Sequence, residues 1–239
     1  MKTLIIGAGE IGKSLQKVLS AKHEVFIRDK EDNFEVNDIE VLNICYPYHS
    51  TFIDATKAYI KRYNPKLTII HSTVAPGTTR KCGEKVVHSP CHGKHPNLEG
   101  GIKTFVKYIG GTNTYALNLA DKFLHEAGIK VMVVSSPEAS EISKILCTTQ
   151  YGVNIMVMKE IVRICDEWGV PFKEVYSHWN HFYNQGYEQL GMPQFRRYIL
   201  EPMEGKTGGH CVISNTYLLD DWLTNLVKGR DEEIHKKKK

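Results

Sequence analysis

Residues 3–12 read Thr3-Leu4-Ile5-Ile6-Gly7-Ala8-Gly9-Glu10-Ile11-Gly12. A short apolar run leads into a G-x-G-x-x-G turn, and Leu15, Val18 and Leu19 follow at the spacing of one helical face. Strand, glycine turn and helix, in that order, are the setting in which this fingerprint holds a dinucleotide. Gly7 permits the tight turn, Gly9 lets a pyrophosphate approach the backbone, and Gly12 lets the helix pack close to the strand. The helix N-terminus adds N–H donors and a partial positive charge. Gly7, Gly9, Glu10, Ile11 and Gly12 are therefore the expected cofactor-binding residues of the turn.

Moving outward, Glu24 to Arg28 reads as a second strand, and Asp29 ends it, 20 residues past Gly9 (29 − 9). A carboxylate there accepts hydrogen bonds from ribose hydroxyls and repels a 2′-phosphate, which favours NAD over NADP. Arg28 and Lys30 flank it and pull the other way. Val41 to Cys45 reads as a third strand. Tyr46 and Pro47 follow where its C-terminal end is expected to meet the cofactor.

The same alternation continues. Phe52 to Tyr63 has helical periodicity; Leu67 to His71, Val86 to His88, Tyr108 to Gly111 and Lys130 to Ser135 read as strands; Thr114 to Ala127 reads as a helix. This rhythm predicts an α/β fold, a Rossmann-type, mostly parallel sheet with helices on both faces. After Ser135-Ser136-Pro137 the pattern changes. From Glu138 to about Trp168 a long helix is expected, followed by one or two helices over Phe172 to Leu190, a loop at Gly205 to Gly209, and a last helix from Thr216 to Lys228. The reading places an NAD-binding domain at 1–136, a smaller all-α dimerisation or substrate domain at 137–230, and a disordered basic tail at 231–239.

Composition narrows the function classes. The chain has 239 residues, 41% hydrophobic and 24% charged, with a formal charge of +4. That is an ordinary globular balance, long enough to bury a core without staples. Part of the charge is the terminal run Lys236 to Lys239, which reads as a solvated tail, so neither nucleic acid nor membrane is expected as a partner. The six cysteines, Cys45, Cys82, Cys91, Cys147, Cys165 and Cys211, form no CxxC pair and no metal-ligand pattern. With no signal peptide read at Met1-Lys2, a cytoplasmic setting and free thiols are expected.

Four further segments resemble the UDP-glucose/GDP-mannose dehydrogenase family, within the 6-phosphogluconate-dehydrogenase-like oxidoreductases. They are His71-Ser72-Thr73-Val74-Ala75-Pro76-Gly77-Thr78-Thr79, similar to S-T-V-x-x-G-T-T; Ser140-Glu141-Ile142-Ser143-Lys144, similar to A-E-x-x-K; Tyr151-Gly152-Val153-Asn154-Ile155; and Gly208-Gly209-His210-Cys211, similar to G-G-x-C. They come in the family's order across residues 1 to about 220. The resemblance implies two successive NAD-dependent oxidations of a sugar alcohol, the second through a thiohemiacetal on a cysteine. The matching cysteine is Cys211; a thiolate is a strong nucleophile, and Lys206 and His210 are cationic neighbours that suit it. The bland reading, a structural thiol in a loop, stays open. Lys144 matches the active-site lysine, which stabilises a developing alkoxide or shuttles a proton. The resemblance places Thr73 near nicotinamide and substrate, and Thr148 among the catalytic positions. Lys206, His210 and Asn154 are the candidate substrate-binding residues. His71 and His88 read as satisfied core histidines.

The departures are specific. Thr148 stands where the family has Asn, Cys91 follows Ser89-Pro90 where it has Glu, and Asn215 stands where it has Asp. The sequence ends 28 residues past Cys211 (239 − 211), so the resemblance implies a short form without the C-terminal nucleotide-binding domain. Lys94 and His95 in the Ser89 to Pro96 segment, with Arg196 and Arg197, are basic residues suited to an anionic substrate, or are solvated loop charge. Three functions remain open: a nucleotide-sugar-type dehydrogenase using Cys211, a single-step dehydrogenase or reductase of another small anionic substrate, and an NAD-binding regulatory protein without catalysis. The broad apolar face of the long helix, and the family's use of it, predict a homodimer.

Overall fold

A computed structural model describes residues 1–30, 32, 36–93, 96, 98–205 and 207–236, without the side chains of His210 and of residues 234–236. The chain forms two compact units, Met1–Lys144 and Ile145–Lys239.

The first unit is built on seven strands: β1 (Lys2–Ile6), β2 (Glu24–Arg28), β3 (Val41–Ile44), β4 (Leu67–Ile70), β5 (Val86–His88), β6 (Lys107–Gly111) and β7 (Val131–Val133). Their order across the sheet is β2-β1-β3-β4-β5-β6-β7. The first five run parallel; β6 pairs antiparallel with β5, and β7 parallel with β6. Helices α1 (Glu10–Leu19), α2 (Phe52–Tyr63), α3 (Thr78–Cys82), α4 (Leu98–Thr104) and α5 (Thr114–Glu126) connect them. The pleat divides the apolar residues of β1 between two cores. Ile5 joins Val41, Ile69, Val87, Leu15, Leu19 and Phe123 on one face; Leu4 and Ile6 join Leu42, Ile44, Ile70 and Phe52 on the other. Burial on both faces is why these strands read as continuous apolar runs rather than as alternating ones. The short helices α3 and α4 have too few turns to show a period and were not expected from the sequence.

Helix α6 (Pro137–Trp168) spans 32 residues, and the division between the two units falls inside it, at Lys144. Its start is written in the sequence: Ser136 Oγ accepts the Ala139 N–H at 3.1 Å, a side-chain N-cap, and Pro137 takes the first helical position. Its end is Gly169, in the left-handed region at φ +64°, with Val170 N–H donating to Cys165 O at 3.0 Å.

The second unit continues with a π-helical turn at Lys173–His178, α7 (Trp179–Gln189), a 3₁₀ turn at Pro193–Phe195, α8 (Gly209–Thr216) and α9 (Trp222–Lys236). This corrects the expected single helix from Thr216 to Lys228. Gly208, at φ +69°, starts α8 on the spot, and a Cβ there would stand 2.2 Å from Val212 Cγ2. A turn at Asp221, whose side chain accepts Leu223 N–H at 3.1 Å, then starts α9. Residues 231–236, expected in a disordered tail, are helical: Arg230 pairs with Glu233 one turn on, and Asp231 Oδ1 accepts Thr207 N–H at 2.7 Å. Lys237 to Lys239 lie outside the described residues. Among those described, no helix is long and apolar enough to cross a membrane.

His88, fully buried on β5, has Nε2 3.1 Å from Ser72 O and Nδ1 2.7 Å from Ser140 Oγ. The neutral Nε2–H tautomer satisfies both. Burial, the largest cause, holds its pKa down to about 3. The unfolded chain takes up this proton near pH 6.5, the folded one only near 3. His88 therefore adds nothing to the pH slope above about 6.5 and lowers stability by up to about 1.4 kcal/mol per pH unit below it. Thermal unfolding from pH 7.5 down to about 4.5 is expected to show a shallower loss in His88→Gln than in the native chain. Equal slopes would contradict this reading.

Candidate functional site

The glycine turn sits at the carboxyl edge of the sheet, between β1 and α1, and Gly7 N–H donates to Arg28 O at 2.8 Å. Gly7 has φ +105°, and a Cβ on it would lie 2.9 Å from Tyr46 N, so the turn can pass over the exit of β3 only without a side chain. A Cβ on Gly12 would meet Gly7 O at 1.9 Å. A Cβ on Gly9 would meet nothing within 4 Å. Two glycines are thus used for internal contact, while the third faces open space. Gly9 is also the N-cap of α1, in extended conformation and with no side chain to cap it; Glu10 and Ile11 form the first turn. An open helix N-terminus of this polarity suits a pyrophosphate.

Asp29 is fixed to that turn. Its Oδ2 accepts Ala8 N–H at 3.1 Å and its Oδ1 accepts Lys30 N–H at 2.8 Å. These two backbone hydrogen bonds, Lys30 first, lower its pKa and keep it ionised. Tyr46 caps the neighbouring strand: its phenol is 2.6 Å from Thr56 Oγ1, its carbonyl accepts Ser72 Oγ–H at 2.6 Å, and burial pushes its pKa to about 12. Pro47 is exposed beside it and Thr73, two residues past His71, is half-buried.

The loop leaving β4 is tied to α6. Glu141, fully buried, accepts Gly77 N–H at 2.6 Å and Thr79 N–H at 2.8 Å, while Glu138 makes a bidentate pair with Arg80. Burial is the main cause raising the Glu141 pKa, and these backbone donors oppose it. Three residues beyond Glu141, Lys144 is half-buried, and its Nζ donates to Cys91 O at 2.8 Å, in the loop leaving β5. The turn, Asp29 and Tyr46 lie where strands end at the carboxyl edge, and Lys144 reaches the loop leaving β5 at that edge from within α6; such sheets bind ligands there. His71 is a buried core residue, as expected, with Nδ1 3.0 Å from Ser89 O and Nε2 2.9 Å from Asn43 Oδ1; both are acceptors, and the neutral ring that burial favours donates to one of them.

The second unit carries the other candidates. Cys211 lies in the first turn of α8 and not in a loop, partly exposed, with Ser214 Oγ–H donating to its carbonyl at 3.2 Å. Thr148 Oγ1 donates to Ile145 O at 2.9 Å and accepts from Asn215 Nδ2 at 3.2 Å, so two of the positions that depart from the family pattern bond to each other. Asn154 lines a cavity of about 510 Å³ with Tyr176, Trp179, Asn180 and Arg196, and its buried Nδ2 has no partner among the described residues. Lys206, Lys94, His95 and the His210 side chain lie outside the described residues. All six cysteines are free thiols, and among the described residues no group of His, Cys, Asp or Glu is placed to hold a metal.

Sequence reasoning missed Lys107. It is 1% exposed, and its Nζ reaches Ser89 O, Pro90 O and Cys91 Sγ. The signal was available: in Val106-Lys107-Tyr108-Ile109-Gly110-Gly111 a lysine begins an otherwise buried strand.

No protein-family model matches the chain. In sequence it is similar to the UDP-N-acetyl-D-mannosamine dehydrogenase of Pyrococcus horikoshii, 25% identical over 234 residues, or 88% of this chain and 52% of that protein. The chain spans about half the length of that curated relative. In structure it is similar to the UDP-D-ManNAc dehydrogenase of Pyrococcus horikoshii, with a TM-score of 0.78 at 20% identity, covering 97% of this chain and 68% of that one. It is also similar to Mycobacterium tuberculosis 3-hydroxyisobutyrate dehydrogenase, with a TM-score of 0.70 at 14% identity, covering 95% of this chain and 91% of that one. The resemblance to the UDP-glucose/GDP-mannose dehydrogenase family thus holds in sequence over most of this chain and in fold over nearly all of it.

Proposed function

We propose, from this kinship, that the chain is an NAD-dependent oxidoreductase that oxidises an alcohol of an anionic sugar or sugar-nucleotide substrate. The observation that carries the reading is the open Gly9 cradle with the ionised Asp29 pinned beside it at Ala8 N–H. Bound NAD supplies the hydride acceptor. Gly7, Gly9, Glu10, Ile11 and Gly12 hold its pyrophosphate, Asp29 its adenosine ribose, and Tyr46, Pro47 and Thr73 its nicotinamide side. The substrate carbinol loses a hydride from carbon and a proton from oxygen. Lys144 accepts or relays the hydroxyl proton and stabilises the alkoxide that develops as it leaves, and hydride loss from that alkoxide gives the carbonyl. Lys206, His210 and Asn154 contact the anionic substrate.

In the two-step form, Cys211 Sγ adds to the aldehyde carbon to give a thiohemiacetal. Loss of a second hydride to a second NAD gives a thioester, which water hydrolyses to carboxylate and free thiol. One observation favours a single oxidation instead. Thr148 and Asn215, which hydrogen-bond to each other, are both uncharged and offer no carboxylate to activate that water.

The chain is further proposed to act as a homodimer. Val157, Trp168, Trp179 and Phe182 of α6 and α7 are 52%, 77%, 67% and 66% exposed, large apolar side chains that a partner copy would cover. Incubating the protein with NAD and a panel of nucleotide sugars, while following NADH absorbance, tests the function. Turnover with at least one of them is expected. Two NADH per substrate, falling to one in Cys211→Ser, supports the thioester route, whereas Cys211→Ser kinetics equal to native supports the single step. NAD binding with no turnover on any member would overturn the enzymatic reading.

A further inference from the structure

Cys91 and His92, in the loop leaving β5, turn to opposite faces of β6. Cys91 Sγ meets Lys107 Nζ at 3.5 Å. The His92 ring meets Tyr108, the next residue of β6 and so on its other face, edge to face with centroids 6.4 Å apart. Phe105 flanks the same ring, also at 6.4 Å. Three elements hold this loop. From β6, Lys107 Nζ donates to Ser89 O and to Pro90 O at 3.0 Å. From α6, Lys144 Nζ donates to Cys91 O at 2.8 Å. From α4, Gly101 lets the backbone in: a Cβ there would stand 2.4 Å from His92 O and 2.6 Å from Gly93 Cα. His92 is thus displayed by a fixed backbone, one residue from the carbonyl that Lys144 grips.

Nothing internal accounts for an imidazole at this position. His92 is half-buried, and its Nδ1 is enclosed with no hydrogen-bond partner among the described residues. A buried nitrogen left unpaired costs stability, and such a group in a folded protein calls for a reason. Packing supplies none, since a phenyl ring would fill the space between Tyr108 and Phe105 without that cost. Nε2 is not enclosed in this way. The ring is also neutral: burial first, then Lys144 and Lys107, hold its pKa down to about 4. A neutral imidazole near an ammonium offers a nitrogen that exchanges a hydrogen bond with an uncharged hydroxyl.

We propose that His92 is a substrate-contacting residue: through Nε2 it hydrogen-bonds a hydroxyl of the sugar held beside Lys144. The proposal rests on the reading that a sugar or sugar-nucleotide is oxidised there.

The expected signature is lost function without lost stability. His92→Phe keeps the ring contacts and removes both nitrogens. It is expected to melt at or above the native temperature and to bind NADH within about twofold of native, yet to lose about tenfold or more in kcat/KM for the nucleotide sugar that turns over. His92→Gln keeps a hydrogen-bonding group near the Nε2 position and is expected to recover part of that loss. Nitrogen NMR of the histidine rings gives a readout apart from turnover. The His92 signal, identified as the one missing from His92→Gln, is expected to shift when nucleotide sugars of the panel are added to the NADH complex. A folded His92→Phe with native kcat/KM, or a His92 signal unmoved by a sugar that turns over, would overturn the proposal and leave the oxidation standing. A signal that moves while no sugar turns over would overturn the oxidation and leave the contact. Neither turnover nor movement would overturn both. If His92→Phe does not fold, the His92 signal decides.

Discussion

Gly9→Val is expected to fold like the native chain and to lose NADH binding by at least about a hundredfold, near 2.7 kcal/mol. The reason is geometric. A Cβ at Gly9 meets no protein atom within 4 Å, and its φ of −70° is open to any L-residue, so nothing inside the protein resists the side chain. The space it enters is the cradle. The fold loses only a favourable N-cap, which costs about 1 kcal/mol or less. Gly12→Ala is expected to do the reverse at first. Its Cβ, 1.9 Å from Gly7 O, forces the turn away from α1 and costs about 1–3 kcal/mol of stability, with binding lost as a consequence. Thermal unfolding paired with NADH fluorescence titration distinguishes the two. Gly9→Val that binds NADH as tightly as the native chain would remove the cofactor from this turn.

Lys144→Met is expected to lower kcat by about 10²–10⁴-fold while leaving NAD affinity within about twofold. Lys144 Nζ is anchored at Cys91 O, in the loop leaving β5, whereas the glycine turn proposed to hold NAD lies between β1 and α1. Lys144→Arg is not expected to restore the rate, because a guanidinium keeps its proton at any working pH. Steady-state kinetics with the nucleotide sugar that turns over, together with NADH binding to each variant, makes the measurement. Equal loss of cofactor binding and of turnover would mean that Lys144 supports the fold or the NAD site rather than the chemistry.

The first strand, turn and helix were legible because their signals are local. The run Thr3 to Ile6, the glycine turn and the Leu15-Val18-Leu19 face each follow from a few adjacent residues, and all were observed as β1, turn and α1. The start and stop of α6 were legible for the same reason, through Ser136-Pro137 and Gly169-Val170. Its tertiary anchors were not. Glu141 was visible as part of a motif, but its partners Gly77 N–H and Thr79 N–H lie more than 60 residues away in sequence. The region around Cys211 was misread as a loop because a run of glycines usually marks one. Here Gly208 starts a helix, a role that depends on its positive φ and on the nearness of Val212.

By itself, the sequence determined the strand, glycine turn and helix, the carboxylate that follows them, and the parallel α/β order, since each depends on residue types at fixed short spacings. Only the tertiary structure decided which glycine faces open space and which is filled by backbone, that Thr148 and Asn215 form a pair, and that Lys107 is buried under the same loop that Lys144 grips. Those facts depend on which atoms the packed chain brings within a few ångströms across long sequence separations, and no short-range pattern encodes such distances.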